Sequence, residues 1–407
     1  MSSQPRARVG LISLGVGLAA AGVGAALGVA AERVAVGRPL LPPFGEPPDD
    51  GEDYAGLHSP AIVVTADDGT RLHVEVDEVD APEPEPGGPT GRRSPIPAGP
   101  AEQPAVTVVF SHGYALTMDS WYFQRKVLRG RYRLVLWDQR GHGRSGTGPP
   151  ASSTIDQLGH DLAAVIAAVA PTGPLVLIGH SMGGMTVMAL AERRPELFAE
   201  RVLGVALVST SAGGLGRVDL GVAGRGRVVQ RLAPSTVKVL TRAPRLVETG
   251  RRLGSDVEAV LVRRYSYASP VSPALVAFTA RMIAATRLDV ISDFLPTFSK
   301  HDKRAALAAM NGIEVLVIVG DHDLLTPAEH SDGIVRELPG AEHVVVAHGG
   351  HLLMLEHPEV VTGHLVDLIE RSLRSHERPG DHHRRLSPLV RRTVTSLRRH
   401  RRRDGVA

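Results

Sequence analysis

Short, predominantly apolar runs, each stopped by glycine or a polar turn residue, recur along this chain of 407 residues. They are Val106-Thr107-Val108-Val109-Phe110, Leu134-Val135-Leu136-Trp137, Leu175-Val176-Leu177-Ile178, Val202 to Val208, Ile313 to Val319 and Val344-Val345-Val346. Runs of that length, rich in branched residues and bounded by turn signals, read as strands buried on both faces. Ahead of them, Ile62 to Thr65 and the alternating Leu72-His73-Val74-Glu75-Val76 flank a turn at Ala66-Asp67-Asp68-Gly69, which reads as a hairpin. Helical patterns separate the later strands, so the expected fold class is α/β, a doubly wound and mostly parallel sheet. Between Val208 and Ile313 no strand pattern is strong; helical stretches are expected at 228–240, 243–253, 255–267 and 273–285.

The strand ends carry the candidate chemistry. Leu175-Val176-Leu177-Ile178 meets Gly179-His180-Ser181-Met182-Gly183, and an Ala- and Met-rich segment then runs to Arg194 before Pro195. Strand, one-residue corner and helix with Ser181 at the corner fit a nucleophile elbow, and the flanking glycines leave room for the chain to fold back on itself. A serine hydroxyl needs a base, and the base needs an orienting carboxylate. His351 follows one strand end in His348-Gly349-Gly350-His351. Asp321 and Asp323 both follow another in Gly320-Asp321-His322-Asp323. Upstream, Ser111-His112-Gly113-Tyr114 follows a strand, and Gly113 would let the Tyr114 amide form an oxyanion hole with the Met182 amide.

Together with Asp138 to Ser145 and Gly320 to Pro327, these pieces resemble the α/β-hydrolase family, in particular its monoglyceride-lipase-like and esterase members, over roughly residues 60–370. The resemblance implies a Ser-His-Asp acyl hydrolase needing no cofactor or metal. The family spacing from Gly320 to Pro327 favours Asp323 over Asp321 as the acid. Candidate substrate-binding residues are His112, Gly113 and Trp121, although His112 and His180 also read as residues that order the oxyanion loop and the elbow. Trp121 and Tyr122 are either pocket lining or core. His142, His322 and His348 read as loop residues, Asp138 and Ser145 as turn and helix-cap residues. The expected reaction is cleavage of a hydrophobic or lipid-like carboxylic ester through an acyl-enzyme. Acyl transfer, cofactor-free peroxide chemistry and a non-catalytic binding role on the same fold are the alternatives. Dehalogenase and epoxide-hydrolase chemistry is disfavoured because the elbow holds a serine where those enzymes use aspartate.

Composition adds boundaries. The hydrophobic content of 43% supports a sizeable core, and the absence of cysteine excludes disulfides and thiolate metal or redox sites. The expected division is an apolar helix within 1–38, a Pro-rich linker at 39–58, and a first core part at 59–210 with a flexible excursion at 81–104. A helical cap at 211–310, a second core part at 311–375 and a basic tail at 376–407 complete it. Val9 to Ala31 is uncharged and would make about 34 Å of helix, enough to span a bilayer core of ~30 Å. It reads as a membrane anchor with the catalytic domain outside the cytoplasm, or as a cleaved signal with a secreted product. In the arginine-rich tail, Leu386, Leu389, Val390, Val394 and Leu397 recur at helical spacing, so the tail either lies on an anionic lipid surface or is solvated and disordered. No aromatic residue interleaves its arginines, and no nucleic-acid partner is expected. The oligomeric state is left open.

Overall fold

The computed structural model describes residues 51–80, 106–149, 151–215, 255–377 and 393–395. The apolar runs form one sheet. Its strands are β1 (Ala61–Thr65), β2 (Arg71–Asp77), β3 (Thr107–Ser111), β4 (Arg133–Trp137), β5 (Leu175–His180), β6 (Val202–Val208), β7 (Glu314–Gly320), β8 (Glu342–Val346) and β9 (Thr393–Thr395). The spatial order is β1-β2-β4-β3-β5-β6-β7-β8-β9. The hairpin strands β1 and β2 pair antiparallel, as β2 does with β4; every later pairing is parallel. All residues of β3 and β5 are buried, as expected for strands covered on both faces.

Successive side chains on a strand point to opposite faces, so each run feeds two cores. Val108, Phe110, Leu134, Leu136, Val176 and Ile178 pack on one side together with Leu128, Val361 and Leu365. These last belong to helices α1 (Tyr122–Leu128) and α10 (Pro358–Glu377). Val109, Val135, Trp137, Leu175 and Leu177 pack on the other side against Leu162, Val165, Val187 and Leu190. That layer is α2 (Ile155–Val169) and α3 (Met182–Arg193). Buried Arg125 on α1 ties the hairpin down, pairing with Glu75 at 2.8 Å and Asp77 at 2.7 Å. Removing one member would strand a buried charge.

After α4 (Pro195–Glu200) and β6, the described residues ahead of β7 include the α-helices α5 (Ser255–Ser266), α6 (Pro273–Ala285) and α7 (Leu288–Lys300). The first two match the stretches expected at 255–267 and 273–285, while those at 228–240 and 243–253 lie outside the described residues. After β7 come α8 (Ala328–Glu337) and, past β8, the short α9 (Leu353–Glu356) ahead of α10.

Two expectations about the termini need correction. Among the described residues no helix is long and apolar enough to cross a membrane. The longest, α10, carries Glu359, Asp367, Glu370, Arg371 and Arg374 along its length and buries its apolar face on the sheet. This overturns the expected placement as a membrane-anchored protein with an extracytoplasmic domain; the stretch 9–31 lies outside the described residues, as does most of the tail. Within the tail, Val394 is not helical. Thr393–Thr395 is extended and pairs in parallel with Val344–Val346 of β8, which suits three consecutive β-branched residues beside an open strand edge.

Candidate active site

The corner after β5 is tight for reasons visible in its glycines. A Cβ on Gly179 would lie 2.4 Å from the Gly183 carbonyl oxygen, and one on Gly183 would lie 2.1 Å from that of Ser111. Ser181 itself has φ 52° and ψ −115°, a conformation that costs a non-glycine residue about 1–3 kcal/mol. Its amide donates to the Val208 carbonyl at 2.9 Å, and its carbonyl accepts from Thr210 Oγ1 at 2.6 Å. These bonds over-determine the strained turn. Met182 opens α3, so its amide has no carbonyl behind it in the helix.

Asp323 and His351 come from the loops after adjacent strands β7 and β8. His351 Nδ1 lies 3.0 and 2.9 Å from the two carboxylate oxygens of Asp323. The Leu325 and Thr326 amides donate to Asp323 Oδ1, both at 2.9 Å, and Thr326 Oγ1 donates to Oδ2 at 2.9 Å. Asp321 instead accepts from the Gly349 amide at 3.3 Å and lies 2.6 Å from His322 Nδ1. The two acids left open by the local sequence are thus separated by geometry. Of the two acids, it is Asp323 that contacts the imidazole of His351. Among the described residues no hydrogen bond joins Ser181 Oγ to His351; the link between their loops is His180. Fully buried, it reaches the His351 carbonyl with Nε2 at 3.0 Å, the two rings 4.8 Å apart.

The loop after β3 approaches from the other side. A Cβ on Gly113 would lie 2.6 Å from His180 Nδ1, so glycine is needed for the loop to lie against the elbow. His112 accepts from the Gln139 amide with Nε2 at 2.9 Å and lies 2.7 Å from the Gly113 carbonyl with Nδ1. Gln139 Nε2 donates to the His112 carbonyl at 2.5 Å, and its Oε1 is 2.6 Å from Thr186 Oγ1, which is also 2.9 Å from the Met182 carbonyl. One buried chain therefore fixes the Gly113 loop to the first turn of α3. Burial holds His112 down at about 4 and His142 at about 3, and keeps His180 well below the usual histidine range. All three are neutral at pH 7.

The His351 loop has its own clamp. The Glu356 carboxylate accepts from the Gly350 amide at 2.6 Å, the Ala268 amide at 2.7 Å and the Ser269 amide. The Leu352 amide donates to the Ser266 carbonyl at 3.0 Å. The end of α5 is thereby fastened to the loop that carries His351.

The family model of the alpha/beta hydrolase fold matches residues 106–358, which hold every strand end described above from β3 to β8. The chain is an alpha/beta hydrolase. It is 30% identical over 256 residues to the dihydrolipoyllysine-residue acetyltransferase component of the acetoin cleaving system of Cupriavidus necator, over 62% of this chain and 60% of that one. It is 26% identical over 280 residues to 3-oxoadipate enol-lactonase 2 of Acinetobacter baylyi, over 67% of this chain and 90% of that one. A thermophilic esterase from Thermogutta terrifontis shares the fold, with a TM-score of 0.56, 22% identity, and coverage of 77% of this chain and 99% of that one.

Two expected substrate contacts in this hydrolase are placed otherwise. Trp121 is fully buried, its ring 5.2 Å from Phe110 and edge-on to His180, so it is a core residue under the site. Both ring nitrogens of His112 are engaged by the main chain, leaving none for a substrate. Asp138 and Ser145 are turn residues: the Asp138 carboxylate accepts from the Met118 and Arg144 amides, and Ser145 Oγ donates to the Asp138 carbonyl. Gln139, Thr186 and Glu356 were not legible as site residues, because the partners that give them meaning (His112, Gln139 and Ala268) lie 27, 47 and 88 positions away in the chain. Among the described residues no group of three His, Asp or Glu side chains is arranged to hold a metal ion.

Proposed function

We propose that this hydrolase cleaves carboxylic esters of hydrophobic character through an acyl-enzyme on Ser181. The observation that carries the reading is the buried Asp323 carboxylate on His351 Nδ1, which holds the tautomer whose Nε2 is free to accept a proton. His351 Nε2 takes the proton of Ser181 Oγ as that oxygen attacks the ester carbonyl carbon. The amides of Tyr114 and Met182 hold the resulting oxyanion, and Asp323 stabilises the imidazolium. Collapse breaks the bond to the alcohol oxygen, which receives the proton from His351. Water then attacks the acyl carbon with the same histidine as base, and the acid leaves with Ser181 restored. In the free enzyme Ser181 Oγ and His351 Nε2 are not hydrogen-bonded, and substrate draws them together, as is common for catalytic pairs.

The hydrophobic preference is supported by Met182, Met185, Val290 and Phe294, which cluster beside the elbow with Tyr114 against them. In this reading, 211–310 is a cap on a core made of 59–210 and 311–375. The test is hydrolysis of p-nitrophenyl esters of rising acyl length by wild type and Ser181→Ala. Loss of turnover by something like 10⁴–10⁶ in the variant supports the reading, and the favoured acyl length sizes the pocket. Equal rates in both proteins, or no cleavage of any ester, would sink it in favour of acyl transfer or binding.

A further inference from the structure

Tyr114 contributes more than an amide. Its hydroxyl donates to the carbonyl of Ile291 on α7 at 2.5 Å. Its ring stands edge-on to Phe298 at 5.1 Å and tilted to Phe294 at 6.3 Å, both on the same helix. Met182, the other residue whose amide faces the oxyanion, packs its side chain with Val290 and Phe294 of α7. Both halves of the oxyanion site thus rest on one helix that belongs neither to the sheet nor to its flanking layers. The helix is seated on the core from its far end: Thr297 Oγ1 accepts from the Ile155 amide at 3.1 Å, His301 Nε2 lies 2.8 Å from the Ser211 carbonyl, and the Lys303 amide donates to the Ala212 carbonyl at 2.7 Å.

The loop that carries the Tyr114 amide is strained where it leaves that residue. Ala115 has φ 56°, a left-handed conformation that a residue with a Cβ keeps only when its surroundings enforce it. The loop is anchored before Tyr114 by the His112–Gln139 chain and after Ala115 by the Met118 amide, which donates to Asp138 Oδ1 at 2.8 Å. Between these anchors the Leu116 amide donates to the Gly113 carbonyl at 3.3 Å, and the phenol bond adds a tie from Tyr114 to α7.

We propose that the Tyr114 hydroxyl is a latch between α7 and the oxyanion loop, so that the Tyr114 amide is held in its working position only while α7 is seated over the site. Tyr114 then acts twice, through its amide on the reacting oxygen and through its side chain as a positioning group. Seating of α7 by an apolar acyl chain against Val290 and Phe294 is thereby transmitted to the oxyanion site. The catalytic half of this proposal rests on the acyl-enzyme reading above; the structural half does not.

The test is Tyr114→Phe in the full chain, which keeps the ring and the amide and removes only the hydroxyl. Amide hydrogen exchange is expected to rise together in peptides covering 113–118 and 288–300 and to stay unchanged in β6. With the preferred ester, kcat is expected to fall about ten-fold to a hundred-fold, as for a small displacement of a catalytic group, with little change in KM. Adding Ala115→Gly, which removes the strain, is expected to recover most of the lost kcat. Exchange that rises in neither segment or in only one overturns the latch. So does a kcat within about twofold of wild type, or a double variant no better than Tyr114→Phe. If wild type cleaves no ester, the Ser181 reading fails, and the exchange measurement alone still decides the latch.

Discussion

Replacing His142 by asparagine isolates the energetic consequence of burying histidines around this site, and it needs no substrate. The His142 ring is 0% exposed, with Nδ1 2.9 Å from the Arg140 carbonyl. Burial is the main cause that holds its pKa at about 3, with the neighbouring His112 lowering it further. In the unfolded chain the same group titrates near 6.5. The native pKa lies below the unfolded one, so acid is taken up preferentially by the unfolded state. Stability from this group is therefore present above about pH 6.5 and is lost as pH falls from there toward about 3. At pH 5 the unfolded ensemble gains RT ln(1 + 10^1.5), about 2 kcal/mol, relative to pH 8. A folded value one unit higher alters this by less than about 0.1 kcal/mol, because native His142 is neutral at pH 5 either way. Urea unfolding of wild type and His142→Asn at pH 8 and pH 5, with the slope checked for constancy, gives the required four free energies. Whatever asparagine does to packing is the same at both pH values and cancels. The stability lost between pH 8 and pH 5 is expected to be smaller in the variant by about 2 kcal/mol. A difference under about 0.5 kcal/mol would mean that His142 takes up a proton in the native state, and the argument from burial would fail.

Three further outcomes are expected. Asp323→Asn preserves shape but not tautomer control and should lower kcat about 10⁴-fold, while Asp321→Asn, which leaves His351 untouched, should stay within about threefold, both read by ester hydrolysis. Glu356→Gln gives up a carboxylate that accepts from three main-chain amides and should destabilise by about 1.5–3 kcal/mol in urea. It should also depress kcat more than KM, since the His351 loop loosens. Gly183→Ala forces a Cβ into the Ser111 carbonyl, main chain against main chain, and should lower Tm by about 10 °C or abolish soluble expression, as expected when overpacking costs several kcal/mol. A melt unchanged from wild type would contradict the elbow geometry.

Much of the fold was legible because its signals are local. An apolar run closed by glycine names a buried strand by itself, and the hairpin 62–76 and the helix after Ser181 follow from turn chemistry. The expected strands agree with the observed ones to within one or two residues. Ser181, Asp323 and His351 stand out for the same reason, since each ends a strand in a short, polar, glycine-bearing loop. Between Asp321 and Asp323 the strand end alone does not choose; the family spacing from Gly320 to Pro327 favoured Asp323, and it is the Asp323 carboxylate that reaches the imidazole on the neighbouring strand's loop. The bridge Gln139–Thr186 and the clamp Glu356–Ala268 were invisible, because side chains of ordinary type acquire meaning only when distant elements meet. Trp121 misled in the opposite direction: a large aromatic beside the oxyanion loop suits a pocket wall and a core equally well, and only packing under Phe110 and His180 separates them. The apolar stretch at 9–31 and the arginine-rich tail misled because composition alone was read as lipid contact, whereas among the described residues no helix is long and apolar enough to cross a membrane.

The joints of α5 to α7 define a graft. At one end the segment is fastened to the core by Glu356 and Leu352 gripping residues 266–269, and at the other by the contacts of His301 and Lys303 with the strand-end loop at 211–212. Both joints are made largely of main-chain groups, which any sequence supplies. Residues 270–300 therefore form a cassette: a helical pair from another hydrolase, spliced between these two joints, would meet the same sockets. The Glu356 grip on the His351 loop would remain. What such a chimera would still have to provide is a carbonyl within reach of the Tyr114 hydroxyl, an acceptor for the Ile155 amide where Thr297 now stands, and an apolar face to replace Leu275, Phe278 and Met282 on the core.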